Sequence, residues 1–157
     1  KNASALSQLI QTHAQIIVNG LQYDLATITK LTQKLFDFRA IQQARHLFFT
    51  VPSPDIFLFN VLIRGFSSNA SPLSSISLYA DMRRNTHLRP DYFTYSFALM
   101  AASGFPDEKY GMLLHAQSIV DGSGFELFVG SAVVDLYFKF SRVELARKVF
   151  DRMPGRV

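Results

Sequence analysis

The chain has 157 residues, of which 48% are hydrophobic, 13% aromatic and 18% charged, and its formal net charge is +4. This composition is too apolar and too aromatic for a disordered chain. Because cysteine is absent, disulfides, cysteine nucleophiles and thiolate zinc sites are excluded within it. No apolar run approaches the roughly 20 residues that cross a bilayer. The basic charge is compatible with an anionic partner but does not identify one.

An internal repeat is the strongest pattern in the sequence. Residues 13–55 and 115–157 share 13 identities in 43 aligned positions at a shift of 102 residues, beginning with His-Ala-Gln in both segments. The match preserves the spacing of apolar residues along predicted helices. A period of 102 residues is long for one repeat but fits three helical hairpins of about 34 residues each.

The predicted helices follow one another along the whole chain. Apolar residues at helical spacing predict helices around residues 28–38, 41–51 and 59–66. Ser71 and Pro72 are typical of a helix start, and we expect that helix to run to about Arg84. Two further helices are expected, from Phe93 to about Ser103 and over 108–120, where a Gly-Ser-Gly segment ends the second.

These helices predict an all-α fold, because no alternation typical of strands is present. Each hairpin would have an apolar side that it buries by stacking on its neighbours, which makes an α-solenoid. Stacked first helices would form a continuous concave surface, where function in such arrays is usually found.

The chain resembles the pentatricopeptide repeat family, in particular its plant PLS subfamily, in which repeats of three lengths alternate. The motifs that carry the resemblance are ARHLFFTVPSPD at 44–55, IFLFNVLIRGF at 56–66, MRRNTHLRPD at 82–91 and VELARKVFDRMP at 143–154. The resemblance implies a right-handed superhelix of helix-turn-helix hairpins. Its repeats would be a partial long-type repeat (1–24), a short-type (25–55), a standard-type (56–91), a long-type (92–126) and a second short-type repeat (127–157).

The resemblance implies sequence-selective binding of single-stranded RNA, about one base per repeat, as helical-repeat proteins do. In this family the fifth and the last residue of a repeat read the base edge. The corresponding pairs are Thr29 with Asp55, Asn60 with Asp91, Ser96 with Glu126, and Ser131 with Val157. The first pair matches the family pattern for guanine and the second the pattern for uracil. Val157 departs from the pattern because its side chain forms no hydrogen bond.

The second residue of each repeat packs against the base in this family. Phe57, Phe93 and Phe128 occupy that position in three repeats, and Ala26 in the fourth. Stacking on such a phenylalanine would contribute ~1–3 kcal/mol per base. A phosphate-facing lysine is common near the thirteenth position, and only Lys139 matches it here.

The same residues also have structural interpretations. Asn60 could be a polar residue on a helix face, Asp91 could cap a helix after Pro90, and the three phenylalanines could pack between repeats. His13 and His115 occupy equivalent positions of the internal repeat, so structural repetition explains them better than metal binding or catalysis. We expect no metal site, no cofactor and no catalytic residue in this chain.

The resemblance further implies the target-recognition segment of an organellar factor for cytidine-to-uridine RNA editing. The zinc deaminase motifs H-x-E and P-C-x-x-C are missing from the sequence, so a deaminase domain would lie in a longer chain or act in trans. We expect a mitochondrial or chloroplast location, with the transit peptide absent from this sequence. An editing accessory protein of the MORF/RIP type could bind repeat 92–126. The alternative is a scaffold for protein–protein interaction, which the unequal repeat lengths disfavour because tetratricopeptide arrays repeat uniformly.

Overall fold

The computed structural model describes residues 2–20 and 24–154, which contain nine α-helices and no β-strand. The helices are α1 (Asn2–Val18), α2 (Leu25–Asp37), α3 (Ile41–Phe49), α4 (Ile56–Ser68), α5 (Pro72–Asn85), α6 (Tyr92–Ala102), α7 (Lys109–Val120), α8 (Leu127–Lys139) and α9 (Val143–Phe150). The predicted all-α fold is therefore confirmed. Among these helices, none has both the length and the apolar character needed to cross a membrane.

The helices form four hairpins, α2–α3, α4–α5, α6–α7 and α8–α9, and α1 packs on α2. The first helices of the hairpins stack in the order α2, α4, α6, α8. This is the predicted arrangement of a helical-hairpin solenoid. The first helices begin at Leu25, Ile56, Tyr92 and Leu127, where the predicted repeats also begin. The assignment of repeat types remains a prediction.

Capping side chains set where two of the first helices begin. The Asp55 carboxylate accepts the Leu58 N–H at 2.9 Å, and the Asp91 carboxylate accepts the Thr94 N–H at 2.8 Å. Each bond satisfies a backbone donor that has no partner within the helix. Ser71 is the N-cap residue and Pro72 the first residue of α5, as predicted, although the Ser71 hydroxyl does not form a cap bond.

Aromatic contacts pack neighbouring hairpins together. The rings of Phe36 and Phe66 meet edge to face at 5.3 Å between centroids, and those of Phe48 and Phe59 do so at 5.1 Å. Gly65 lies against Phe36 so closely that a Cβ atom would stand 2.3 Å from the ring. The missing side chain at Gly65 therefore sets how closely α2 and α4 approach.

Two histidines are expected to make the fold sensitive to acid. Burial lowers the pKa of both His13 and His115, and the neighbouring His46 adds to the effect at His13. Below the ordinary histidine pKa of about 6.5, the unfolded chain binds protons that the folded chain does not, so stability present above that pH is lost as the pH falls. We expect the melting temperature to decrease between about pH 7 and pH 5.

Thermal unfolding at several pH values tests this prediction. The variant carrying both His13→Gln and His115→Gln should show a smaller decrease between the two pH values than the wild type. His87→Gln is the control, because His87 is exposed. An equal pH dependence in the wild type and the double variant would contradict the prediction.

Candidate nucleic-acid interface

A groove of about 530 Å³ runs along the first helices α2, α4 and α6. Thr29 and Asn60, two predicted base-reading residues, lie in its lining together with Phe57 and Phe93, two predicted stacking residues. Four of the residues expected from the sequence are thus brought to one surface. The surface is formed by the first helices, as expected for a solenoid.

The two faces of α4 explain how this helix contributes to the groove. Its apolar residues at 59, 62, 63 and 66 are buried between hairpins. The groove is lined by the other face, which carries Phe57, Asn60, Val61, Arg64 and Ser68. These positions are three, four, seven and eleven residues from Phe57, the spacing of one helical face. One helix therefore presents an aromatic ring, an amide and a cation along the same line.

Asn60 and Asp91 form the best-defined predicted pair. The Asn60 Nδ2 donates to both Asp91 carboxylate oxygens, at 3.1 and 3.3 Å. Asn60 is only 6% exposed, yet it lines the groove. Asp91 also caps α6, so the structural interpretation of this residue is correct and coexists with its contact to Asn60. Whether the pair reads a base remains a prediction.

The other predicted pairs are arranged differently. In the described part of the chain no hydrogen bond joins Thr29 to Asp55, whose carboxylate caps α4. The Ser96 hydroxyl donates to the Tyr92 carbonyl at 2.7 Å within its own helix, and Glu126 is exposed at the start of α8. Ser131 is exposed on α8, and Val157 lies outside the described residues. Among the three pairs whose members are both described, the Asn60 pair is therefore the one in which a hydrogen bond joins the two side chains.

The predicted stacking residues differ in their exposure and contacts. Phe57 is 67% exposed, and its ring is open to the groove. Phe93 and Phe128 lie 5.6 Å apart between ring centroids, so these two rings pack between α6 and α8. Tyr92 stacks on Phe128 at 6.0 Å. The packing interpretation thus holds for Phe93 and Phe128, although both keep part of their surface exposed.

Arg64 and Phe97 also line the groove, and neither was predicted from the sequence to do so. The Arg64 guanidinium lies 5.6 Å from the centre of the Phe97 ring, within the range of a cation–π contact. Among the described residues no carboxylate forms an ion pair with Arg64. Helical spacing could have found both, since Arg64 is seven residues from Phe57 and Phe97 is four from Phe93.

Other charges near the groove are mixed. Arg39 and Asp37 also line it, and Asp37 lies 3.6 Å from the Lys34 ammonium on the same helix. Lys139, the predicted phosphate contact, is exposed at the last residue of α8 and lies outside the groove lining. Arg64 and Arg39 are therefore the two cations that line the groove.

The histidines form no recognisable metal site. The rings of His13 and His46 lie 6.0 Å apart between centroids, and the His115 Nδ1 is 2.9 Å from the Tyr137 hydroxyl. Within residues 2–20 and 24–154, no group of three or more metal-binding side chains is present. His46 was not expected near His13, because the two residues lie on different helices.

Comparison with known proteins identifies the family. The model of the PPR repeat matches residues 57–87 and 131–156. The chain is 55% identical over 99% of its length to the pentatricopeptide repeat-containing protein At4g30700 of Arabidopsis thaliana, and 36% identical over 98% to At3g12770. It is 32% identical over 99% to a third protein of that plant, named pentatricopeptide repeat-containing protein At3g26630, chloroplastic. The chain spans 20%, 22% and 34% of the length of these three relatives. Together with the stacked helical hairpins, these matches show that the chain belongs to the pentatricopeptide repeat family.

Proposed function

We propose that the chain binds single-stranded RNA in the groove of its first helices. The observation that carries this proposal is that Asn60, bonded to Asp91, lines the groove beside the exposed ring of Phe57. An unpaired base needs a flat apolar surface for its face and polar groups for its edge. Helix α4 and its junction with α6 provide both the apolar surface and the polar groups.

The proposed contacts favour unpaired RNA over a duplex. Stacking on Phe57 requires a base whose face is free, whereas in an RNA duplex both faces of each base are covered by neighbouring bases. The Asn60 amide and the Asp91 carboxylate supply a donor and an acceptor for a base edge. By the family pattern the base at Asn60 and Asp91 is uracil, and the base at Thr29 and Asp55 is guanine. Ser96, Glu126 and Ser131 would serve mainly as scaffold.

A binding assay separates this function from a protein-binding scaffold. Fluorescence anisotropy would compare poly(U), poly(G) and poly(A) with double-stranded RNA and with single-stranded DNA of the same length. We expect salt-sensitive binding to single-stranded RNA that depends on the base. Equal or absent binding of all the RNAs would contradict the proposal and favour the scaffold.

Arg64→Gln is expected to weaken this binding for all RNA sequences alike. The guanidinium lies in the groove without a carboxylate partner, so it is available to a phosphate. Loss of one phosphate contact should reduce the steepness of the plot of log affinity against log salt concentration by about 1. A salt titration of the wild type and the variant measures the two slopes. Arg84→Gln on α5 is the control, because Arg84 lies near Asp81 and away from the groove. An unchanged slope for Arg64→Gln would contradict the assignment.

We infer further that the chain is a recognition segment of an organellar RNA-editing factor of the PLS subfamily. Support comes from the resemblance of its repeat lengths and from the relative whose name includes "chloroplastic". A deaminase would then belong to a longer chain or to a partner. An accessory protein of the MORF/RIP type is a second candidate ligand, favoured by exposed apolar residues on α7 such as Met112 and Leu113. RNA-editing analysis of a plant line lacking the protein, with the organelle located by a fluorescent fusion, would test this assignment.

A further inference from the structure

Thr94 is a buried residue at the junction of α4 and α6, where its side chain completes the capping box of α6. It is the third residue of α6 and is fully buried. Its hydroxyl Oγ1 lies 2.7 Å from the Asn60 Oδ1 and 3.1 Å from the Asp91 backbone N–H. Thr94 therefore contacts both members of the proposed base-reading pair.

The hydrogen bonds at this junction fix the orientation of the Asn60 amide. A carboxylate only accepts, so the amide nitrogen must face Asp91, and the amide oxygen then faces the Thr94 hydroxyl. The hydroxyl has one proton and two acceptors within reach, the Asn60 Oδ1 at 2.7 Å and the Asp91 Oδ1 at 2.9 Å. The contact to Asn60 is the shorter, and the Asp91 Oδ1 already accepts the Thr94 N–H, so the proton goes to the Asn60 Oδ1. The hydroxyl in turn accepts the Asp91 N–H. A flipped amide would place its oxygen against the carboxylate and its nitrogen against the hydroxyl.

One donor of the pair remains available after these bonds are made. The Asn60 Nδ2 has two protons, and because both of its Asp91 contacts are to oxygens of the same carboxylate, one proton shared between them accounts for both. Because Asn60 lines the groove, the second N–H is the group left for a ligand there. We propose that Thr94 is a positioning residue that holds the Asn60 amide so that this N–H meets an acceptor atom of the base. The inference rests on the proposed function.

The neighbouring junctions of the same chain lack this arrangement. The third residue of α4 is Leu58 and that of α8 is Val129, and both are buried and apolar. In the described part of the chain, the pairs at these two junctions, Thr29 with Asp55 and Ser96 with Glu126, share no hydrogen bond. The fixed pair therefore occurs at the junction where a buried hydroxyl is present.

Selection from a short single-stranded RNA pool with every position randomised tests this role. The wild type should enrich one nucleotide at the position that Asn60→Ala renders neutral. Thr94→Val keeps the shape of the side chain but removes the hydroxyl, and it should reduce the preference at that position about fivefold, the value of one hydrogen bond. Thr94→Ser restores the hydroxyl and should restore the preference. Preferences at other positions should stay unchanged.

A second variant separates positioning from a general loss of stability. Ser75→Ala also removes a fully buried hydroxyl, which donates to the Ile63 carbonyl at 2.8 Å, but it does not contact Asn60. It should lower the melting temperature without changing any base preference. If Thr94→Val keeps the base preference that Asn60→Ala removes, the proposed role of Thr94 is overturned but the proposed function is not. Failure of the wild type to enrich any RNA would overturn the proposed function, and this inference with it.

Discussion

Asn60→Ala is expected to reduce the affinity for the preferred RNA about tenfold or more and to remove the base preference at one position. The side chain supplies the amide N–H of the proposed pair, and alanine offers no group to replace it. The Asp91 carboxylate and the Thr94 hydroxyl would also lose a partner, so a loss of about 1 kcal/mol in the free energy of unfolding should accompany the change.

The matched control for this substitution is Ser96→Ala. Ser96 occupies the corresponding position on α6, but its hydroxyl bonds to the backbone of its own helix. We expect Ser96→Ala to leave every base preference nearly unchanged. Affinities for four RNAs that differ only at the selected position measure both effects. Equal discrimination by the wild type and Asn60→Ala would show that Asn60 does not read the base.

Gly65→Val is expected to destabilise the fold by about 2–3 kcal/mol and to disturb the groove as well. A Cβ atom at this position would stand 2.3–2.5 Å from atoms of the Phe36 ring. That ring is buried, packs edge to face on Phe66 and borders the groove, so moving it away from position 65 would disturb that packing or narrow the groove. Separation of α2 from α4 would relieve the clash, and it would also move Thr29 away from Asn60.

A double-mutant cycle measures the contribution of the contact between residues 36 and 65. It compares the chemical unfolding of the wild type, Gly65→Val, Phe36→Leu and the variant with both substitutions. The smaller, more flexible leucine should recover part of the stability that Gly65→Val loses, because the two residues are in contact. RNA binding by Gly65→Val should be weaker even at temperatures where the variant is folded. Additive effects of the two substitutions would show that the cost of Gly65→Val arises elsewhere.

The repeat pattern explains why the helices could be predicted from the sequence. Apolar residues at helical spacing and the proline at 72 are local signals, and the structure places helices close to the expected bounds. Packing between hairpins is less local. The hydrogen bond between Asn60 and Thr94 joins residues 34 positions apart. No pattern within either helix reveals this bond or the burial of Asn60. The missing cap bond at Ser71 shows likewise that residue type alone does not establish a hydrogen bond.

The groove was predictable in part. The family resemblance pointed to Asn60, Asp91 and Phe57, and the structure brings the first two within hydrogen-bond distance. Arg64 could have been found by following the exposed face of α4 from Phe57. The packing of Phe93 on Phe128 could not have been found from the sequence, because it depends on the distance between α6 and α8.

Two phenylalanines of similar exposure lie on different surfaces, and comparing them tests whether RNA binds in the groove. Phe57 on α4 is 67% exposed in the groove, and Phe49 on α3 is 69% exposed outside it. Fluorescence anisotropy with the randomised single-stranded RNA pool gives the affinity of Phe57→Ala and of Phe49→Ala. RNA binding in the groove predicts that Phe57→Ala weakens the affinity about fivefold or more, the value of one lost stacking contact, while Phe49→Ala binds like the wild type. Equal losses in both variants, or a loss in Phe49→Ala alone, would contradict it.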